Sequence, residues 1–334
     1  MHPVATLFAA WAVAVGAEPS GVLPEAAVQG LYEGVLTDAQ GEHKIEARVV
    51  ATGAKAYKVF VRQQRAGDKV ATGAKVAKVE LDGKTVDRSI HFTGKAGNVA
   101  WEARHEGGKI EGACGPGTRL ELTRVTRRPP TLGAKPPAGA VVLLDGKSFE
   151  EVTKPRLAKG QEQPWKSVGE DAIEVPRGGM NSKRRFASSF KLHVEFKIPL
   201  MPSARDQGRG NSGVYLPNGD EIQVLDSFGM TTYKGGGCGG LYAYKDPDTF
   251  DQFSLASLPP LQWQTFDVEY RVQTRDGSPA GKPRVTVLHN GITIHDNVEL
   301  HADARAGGFH FQDHGCPVHY RNIWVLPLLN TPGP

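Results

Sequence analysis

The chain of 334 residues is short of the features that most often announce a chemistry. It has only three cysteines, Cys114, Cys238 and Cys316, and four methionines. An odd cysteine count excludes a framework in which every thiol is paired. A Cys238–Cys316 disulfide between glycine-containing loops is one reading, and three buried thiols is the other. No apolar run reaches the roughly 18 residues a spanning helix needs. Charge of one sign is lacking too: 40 Lys and Arg against 36 Asp and Glu leave +4. The densest basic cluster, Lys183-Arg184-Arg185, is three residues long, so nucleic acid is not an expected partner. There is no Gly-x-Ser-x-Gly elbow of a serine hydrolase. The run Gly235-Gly236-Gly237-Cys238-Gly239-Gly240 lacks the Lys-Ser/Thr of a phosphate loop, and reads as a mobile loop or as backbone approaching a ligand closely. His310, His314 and His319 match no standard zinc spacing, so no metal site is expected.

Glycine, by contrast, is abundant at 40 residues and proline stands at 23, so turns are frequent. Residues 1–17 carry a short apolar stretch, Ala5–Val15, closed by Val15-Gly16-Ala17. Small residues there suit a signal-peptide cleavage site, and the expected location is periplasmic or secreted. Residues 25–127 show alternating segments at Lys44–Val50, Tyr57–Arg62, Ala77–Leu81, Ser89–Phe92, Val99–Arg104 and Arg119–Val125, a small all-β domain with a binding or spacer role. Ala51-Thr52-Gly53-Ala54-Lys55 recurs as Ala71-Thr72-Gly73-Ala74-Lys75, a local duplication. Residues 128–140 hold Pro129, Pro130, Pro136 and Pro137, which favour a stiff extended linker.

Residues 141–328 are again β-rich. Phe190, Leu192, Val194, Phe196 and Ile198 alternate with Lys191, His193, Glu195 and Lys197, which predicts one buried and one wet face. Phe266, Val268 and Tyr270 repeat that pattern, and Phe309 and Phe311 alternate with His310 and Gln312. Asn290-Gly291 marks a two-residue hairpin. About a dozen strands without a long helical pattern predict an all-β two-sheet sandwich.

Two polar constellations stand out. Ile222 and Val224 share one face of a strand, leaving Glu221 and Gln223 together on the other, either to meet a polar ligand or as a solvated outer face. Asp313 and His314 suit an acid–base relay or turn hydrogen bonds, and Arg321 suits an oxyanion or a surface carboxylate. Trp165, Trp263, Tyr242 and Tyr244 are candidates for stacking on sugar rings, or for the core.

Leu143-Leu144-Asp145-Gly146-Lys147-Ser148-Phe149, Gly210–Leu216, Glu221–Ser227, His295–Leu300, Gln312–Gly315 and Pro317–Trp324 together resemble the 3-keto-disaccharide hydrolase domain family, in its order, over about residues 140–328. The resemblance implies a concanavalin-like jelly-roll sandwich acting on sugars whose C3 hydroxyl has become a ketone. Glu221, His314 and Asp313 are then the expected catalytic groups, Glu221 or His314 as base and Asp313 orienting His314. Gln223, Arg321, Asn211, Tyr215, Gln312 and Asp226 are the expected substrate-binding groups, with Arg321 and Gln223 on the oxyanion. No cofactor is expected; calcium suits this sandwich class, yet no cluster of oxygen ligands marks a site. The expected partner is a carbohydrate substrate. A non-catalytic carbohydrate-binding protein is the alternative, because the same sandwich serves lectins, and an envelope module is a third reading.

Overall fold

The computed structural model describes residues 25–63, 78–87, 89–155, 163–229, 233–248, 256–275 and 278–328. The expected leader and the second copy of the Ala-Thr-Gly-Ala-Lys repeat lie outside them. Among the described residues no helix is long and apolar enough to cross a membrane.

After a single helical turn, α1 (Glu25–Val28), eight antiparallel strands follow. They are β1 (Gly30–Asp38), β2 (Gly41–Gly53), β3 (Ala56–Gln63), β4 (Lys78–Val86), β5 (Ser89–Ala96), β6 (Val99–Glu106), β7 (Lys109–Cys114) and β8 (Arg119–Val125). Each pairs with the next and β8 pairs with β1, so the sheet closes into a barrel. Closure leaves no free edge strand. Period-two alternation sends Tyr32, Val49, Tyr57, Phe92 and Leu122 into the interior. The interior is a packed core with one polar seam: the Tyr32 hydroxyl donates to Val28 O at 2.7 Å and lies 3.0 Å from His105 Nε2.

The sandwich begins at β9 (Val141–Leu144) and continues through β10 (Val152–Thr153), β11 (Ser167–Gly169), β12 (Ala172–Glu174), β13 (Met180–Ser182) and β14 (Phe190–Lys197). Then come β15 (Ser212–Tyr215), β16 (Glu221–Val224), β17 (Trp263–Arg275), β18 (Ser278–His289), β19 (Ile292–Glu299), β20 (His310–Phe311) and β21 (His319–Pro327). One sheet has the order β10-β13-β20-β15-β16, the other β11-β12-β21-β14-β17-β18-β19 with β9 beside β21. Neighbours far apart in sequence, such as β20 beside β15, give the jelly-roll-type sandwich that the pattern predicts. Phe190, Leu192, Val194, Phe196, Phe266, Val268 and Phe311 fill its core. Asn290 and Gly291 both take positive φ, 53° and 81°, and turn β18 into β19 as expected.

The predicted wet face of β14 is wet only at its ends, where Lys191 is exposed and Lys197 half-buried. His193 and Glu195 are completely buried, because the proline-rich segment lies across this sheet instead of spanning open space. Thr131 Oγ1 donates to Asp267 Oδ2 at 2.6 Å, and the Gly133 amide donates to Glu195 Oε1 at 2.5 Å. Asn322 Nδ2 donates to Ala134 O at 3.0 Å and to Glu195 Oε1 at 2.9 Å, and Arg321 Nε donates to Glu195 Oε2 at 2.7 Å. Burial alone would raise the Glu195 pKa; donors from His193, Asn322, Gly133 and Arg321 outweigh it and hold the group down at about 2. A depressed pKa contributes stability above the unfolded value near 4.5, lost as pH falls through about 2. Glu195→Gln is therefore expected to cost of order 3 kcal/mol at pH 7. The cost should vanish toward pH 2 in denaturant titrations run across that range.

Barrel and sandwich meet through an apolar contact. Leu31, Val50 and Phe60 on the outer barrel wall enclose Phe228 from the segment after β16. The Arg48 guanidinium lies 4.9 Å from the Phe228 ring centroid. Phe228→Ala is expected to cost about 3–5 kcal/mol, read as a shift of the urea midpoint. A loss below about 1 kcal/mol would mean that the two bodies do not stabilise each other through this ring.

Candidate active site

The five-stranded sheet turns one face to the core and leaves the other open. Met180, Val214, Ile222, Val224 and Phe311 point inward. Parity then puts Asn181, Gly213, Tyr215, Glu221, Gln223, His310 and Gln312 on the open face. Register completes the row: Tyr215 pairs with Glu221 on one side and with His310 on the other.

Glu221 is the most perturbed acid of this face. It is only 7% exposed, and burial raises its pKa to about 7, against a bond from Tyr215 that lowers it. The Tyr215 phenol is held well above its ordinary range, by burial first and then by the Glu221 carboxylate, so it stays protonated. Gln312 Nε2 donates to the Tyr215 hydroxyl at 3.2 Å. The His310 ring lies 5.3 Å from the Tyr215 ring, and its Nδ1 is 2.9 Å from Asn181 Oδ1. Burial lowers the His310 pKa, favouring the neutral ring at pH 7. The carboxylate reaches across β15 because position 213 has no side chain: a Cβ there would lie 1.9 Å from Glu221 Oε1.

A cleft of about 420 Å3 opens beside this row, lined by Tyr215, Pro217, Gly219, His310, Arg185 and Arg305 among others. On the opposite side Tyr233 and Tyr242 form a rim, both more than 40% exposed and joined hydroxyl to hydroxyl at 2.7 Å. The Tyr242 amide donates to Glu221 O at 3.0 Å, which ties the rim to the carboxylate's own strand.

The glycine-rich run that precedes Tyr242 is packed backbone. Gly239 N donates to Gln223 O and Gln223 N to Gly240 O, so the run extends the sheet beside β16. Gly239 has φ +80°, and a Cβ there would meet Ile294 at 2.3 Å. The His295 ring, with its pKa pushed down to about 4 by burial, sits 2.8 Å from Gly239 O and pins the run from below. The expectation of a loop poised for a ligand gives way to close packing against the chain itself.

The expected site residues fall into three groups. Glu221, Tyr215 and Gln312 stand together on the open face. Gln223 and Asn211 share that face but are covered there: Gln223 Nε2 and Asn211 Nδ2 both donate to Gln207 Oε1, at 2.8 Å and 2.9 Å, and both residues are almost fully buried. The other three regions are elsewhere. Asp226 is buried in an ion pair with Arg209 at 2.7 Å. Asp313 spends both oxygens on backbone, accepting from Gly178 N and Gly315 N at 2.9 Å each, while His314 is exposed; the turn-bond reading describes Asp313, and no bond joins it to His314. Arg321 lies on the other sheet, 4.0 Å from the Trp263 ring and paired with a carboxylate, though with the buried Glu195 and not one on the surface. His310, Arg185 and Arg305 escaped the sequence reading. The alternation of His310 and Gln312 with Phe309 and Phe311 was the signal for the first.

Cys238 and Cys316 are buried free thiols and Cys114 is partly buried, also free. Among the described residues no group of three or more His, Cys, Asp or Glu could hold a metal ion.

The jelly-roll-type sandwich thus carries a buried carboxyl, a phenol and an imidazole on one face, beside a cleft and a tyrosine rim. Residues 139–326 match the family described as the 3-keto-alpha-glucoside-1,2-lyase-like domain, and the chain belongs to that family. The match leaves out the barrel. No curated protein matches the chain. Two solved structures from Parabacteroides distasonis ATCC 8503, each described as a "putative glycosyl hydrolase", are similar to it. One is 29% identical, with 57% of this chain and 84% of that chain covered and a TM-score of 0.48. The other is 19% identical, with 57% and 95% covered and a TM-score of 0.39.

Proposed function

We propose that the chain cleaves the glycosidic bond of 3-keto-glycosides, with Glu221 as the base. The observation that carries this reading is a carboxyl group with a pKa of about 7, nearly buried and bonded to a phenol that stays protonated. A general base works best when its pKa lies near the working pH. The C3 ketone acidifies the C2 hydrogen. Glu221 takes that proton, the C2–H electrons pass into the ring toward the ketone oxygen, and a protonated donor such as Tyr215 stabilises the enolate. The enolate re-forms the ketone and a C1–C2 double bond as the C1–O bond breaks, and the leaving oxygen takes a proton. Water then adds across the double bond, its oxygen at C1 and a proton at C2, so the net result is hydrolysis. The two-carboxylate scheme of ordinary glycosidases does not apply. The expected leader over residues 1–17 would place this action outside the cytoplasm.

The exposed rim of Tyr233 and Tyr242 favours a second reading, a lectin-like binder that stacks sugars without cleaving them. One assay separates the two: product release from a 3-keto-glucoside, with the unoxidised glucoside as control. Cleavage of the keto sugar alone is the expected result. Binding without cleavage would replace the enzyme by the binder, and equal cleavage of both sugars would remove the ketone from the mechanism.

A further inference from the structure

The cleft beside Glu221 carries positive charge that its immediate surroundings do not balance. Arg185 and Arg305 both line it, and none of its lining residues is Asp or Glu. Both arginines are exposed, and among the described residues neither is in an ion pair with a carboxylate. By contrast, the neighbouring Arg184 is paired with Glu151 at 3.1 Å.

Backbone holds the two guanidinium groups at this place. Phe186 N donates to Gly307 O at 2.7 Å, and Gly307 N returns a bond to Phe186 O at 3.1 Å. That bridge sets residues 185–186 against 305–307, although the segments are some 120 residues apart in sequence. Arg185 Nη2 donates to Ala306 O at 2.6 Å, which fixes one edge of its fork and leaves the remaining donors for the cleft. Arg305 lies over the turn that joins Tyr215 to Glu221: a Cβ on Gly219, at φ +98°, would come within 2.6 Å of its Nη2. Both arginines therefore border the strand pair that carries the candidate base. Arginine presents a planar fork that matches an oxyacid group bidentately.

We infer that the sugar recognised by this cleft bears an anionic oxyacid group (a carboxylate, sulfate or phosphate ester) held by Arg185 and Arg305. This rests on the reading of Glu221 as base, because it places the anion on the same substrate. Neutral sugars would use the cleft less well, since burying guanidinium donors without an acceptor forfeits their hydration.

The test is calorimetric titration of the full chain with methyl glucuronide against methyl glucoside. At about 50 mM salt the glucuronide is expected to bind at least about tenfold more tightly, and the preference should shrink at about 500 mM. The double variant Arg185→Gln/Arg305→Gln should abolish the preference, whereas Arg185→Lys/Arg305→Lys, which keeps the charge, should retain part of it. Equal affinity for the two sugars overturns the inference, as does a preference that survives the glutamine pair. Methyl glucoside 6-sulfate and 6-phosphate in parallel runs decide which anion fits best. Cleavage of neutral 3-keto-glucoside is measured alongside. Cleavage without any charge preference would sink the anion site and leave the proposed function standing. A charge preference with no cleavage of any keto sugar would do the reverse.

Discussion

Glu221→Gln is expected to lower the rate on a 3-keto-glycoside by about 10²- to 10⁴-fold and, at the same time, to make the protein more stable at neutral and alkaline pH. The two effects share one cause. Burial raises the Glu221 pKa to about 7 from an ordinary value of 4.5. A group whose folded pKa is raised gives its stabilisation in full below the unfolded value, and loses it as pH rises through the folded value. Above pH 7 the folded protein thus carries a buried carboxylate that the unfolded chain would hydrate. Neutral glutamine removes that cost, of order 3 kcal/mol. For the native protein, kcat should rise with pH through about 7 as the base form fills, then level off. A variant that is inactive and less stable would point to a structural role for Glu221. One that is more stable and still active would dismiss it as the base. His314→Ala makes a useful comparison: its ring is exposed on a turn away from the row, and wild-type rates are expected.

The alternation of apolar residues made the sandwich legible, because one-face burial is a local property of a strand. Glu221 was legible for the same reason: Ile222 and Val224 had to face the core. What covers a strand's second face is not local. His193 and Glu195 read as wet because the sequence says nothing of residues 129–134 lying over them. Barrel closure needs β1 and β7 as well, whose glycines, Gly34 and Gly112, blur the alternation where chains approach closely. The cluster Asp313-His314 drew attention by composition, yet β20 ends at Phe311 and the chain turns there. Its neighbour His310 obeys the parity rule and reaches the site. Arg185 and Arg305 come together only through the bridge from Phe186 to Gly307, which sequence spacing cannot reveal.

Arg209→Met is expected to destabilise the protein by about 3–5 kcal/mol and to lower activity with it. Arg209 is 1% exposed, and its guanidinium makes a 2.7 Å bond to the equally buried Asp226. The same group donates to Met201 O at 3.0 Å, Pro202 O at 3.1 Å and, on the barrel, Ala51 O at 3.2 Å. One side chain thus joins the segment entering β15, the segment leaving β16 and strand β2. Removing it leaves Asp226 buried without its partner, and takes a donor from the carbonyls of Met201, Pro202, Ala204 and Ala51. Burial already pushes the Asp226 pKa up against the pull of Arg209, so the variant should take up a proton there and become less stable as pH rises. Removing both charges, in Arg209→Met/Asp226→Leu, should recover a large part of the loss, because a buried ion pair is about as stable as an apolar replacement of its volume. Urea midpoints for the single and double variants across pH 5 to 8 decide the matter. A single variant within about 1 kcal/mol of the native protein would show that Arg209 is not what holds barrel and sandwich together. The distinction bears on function, since Arg209 and Asp226 bracket the hairpin of Tyr215 and Glu221. If the pair sets that hairpin, the barrel that the family match leaves out belongs to the site's support.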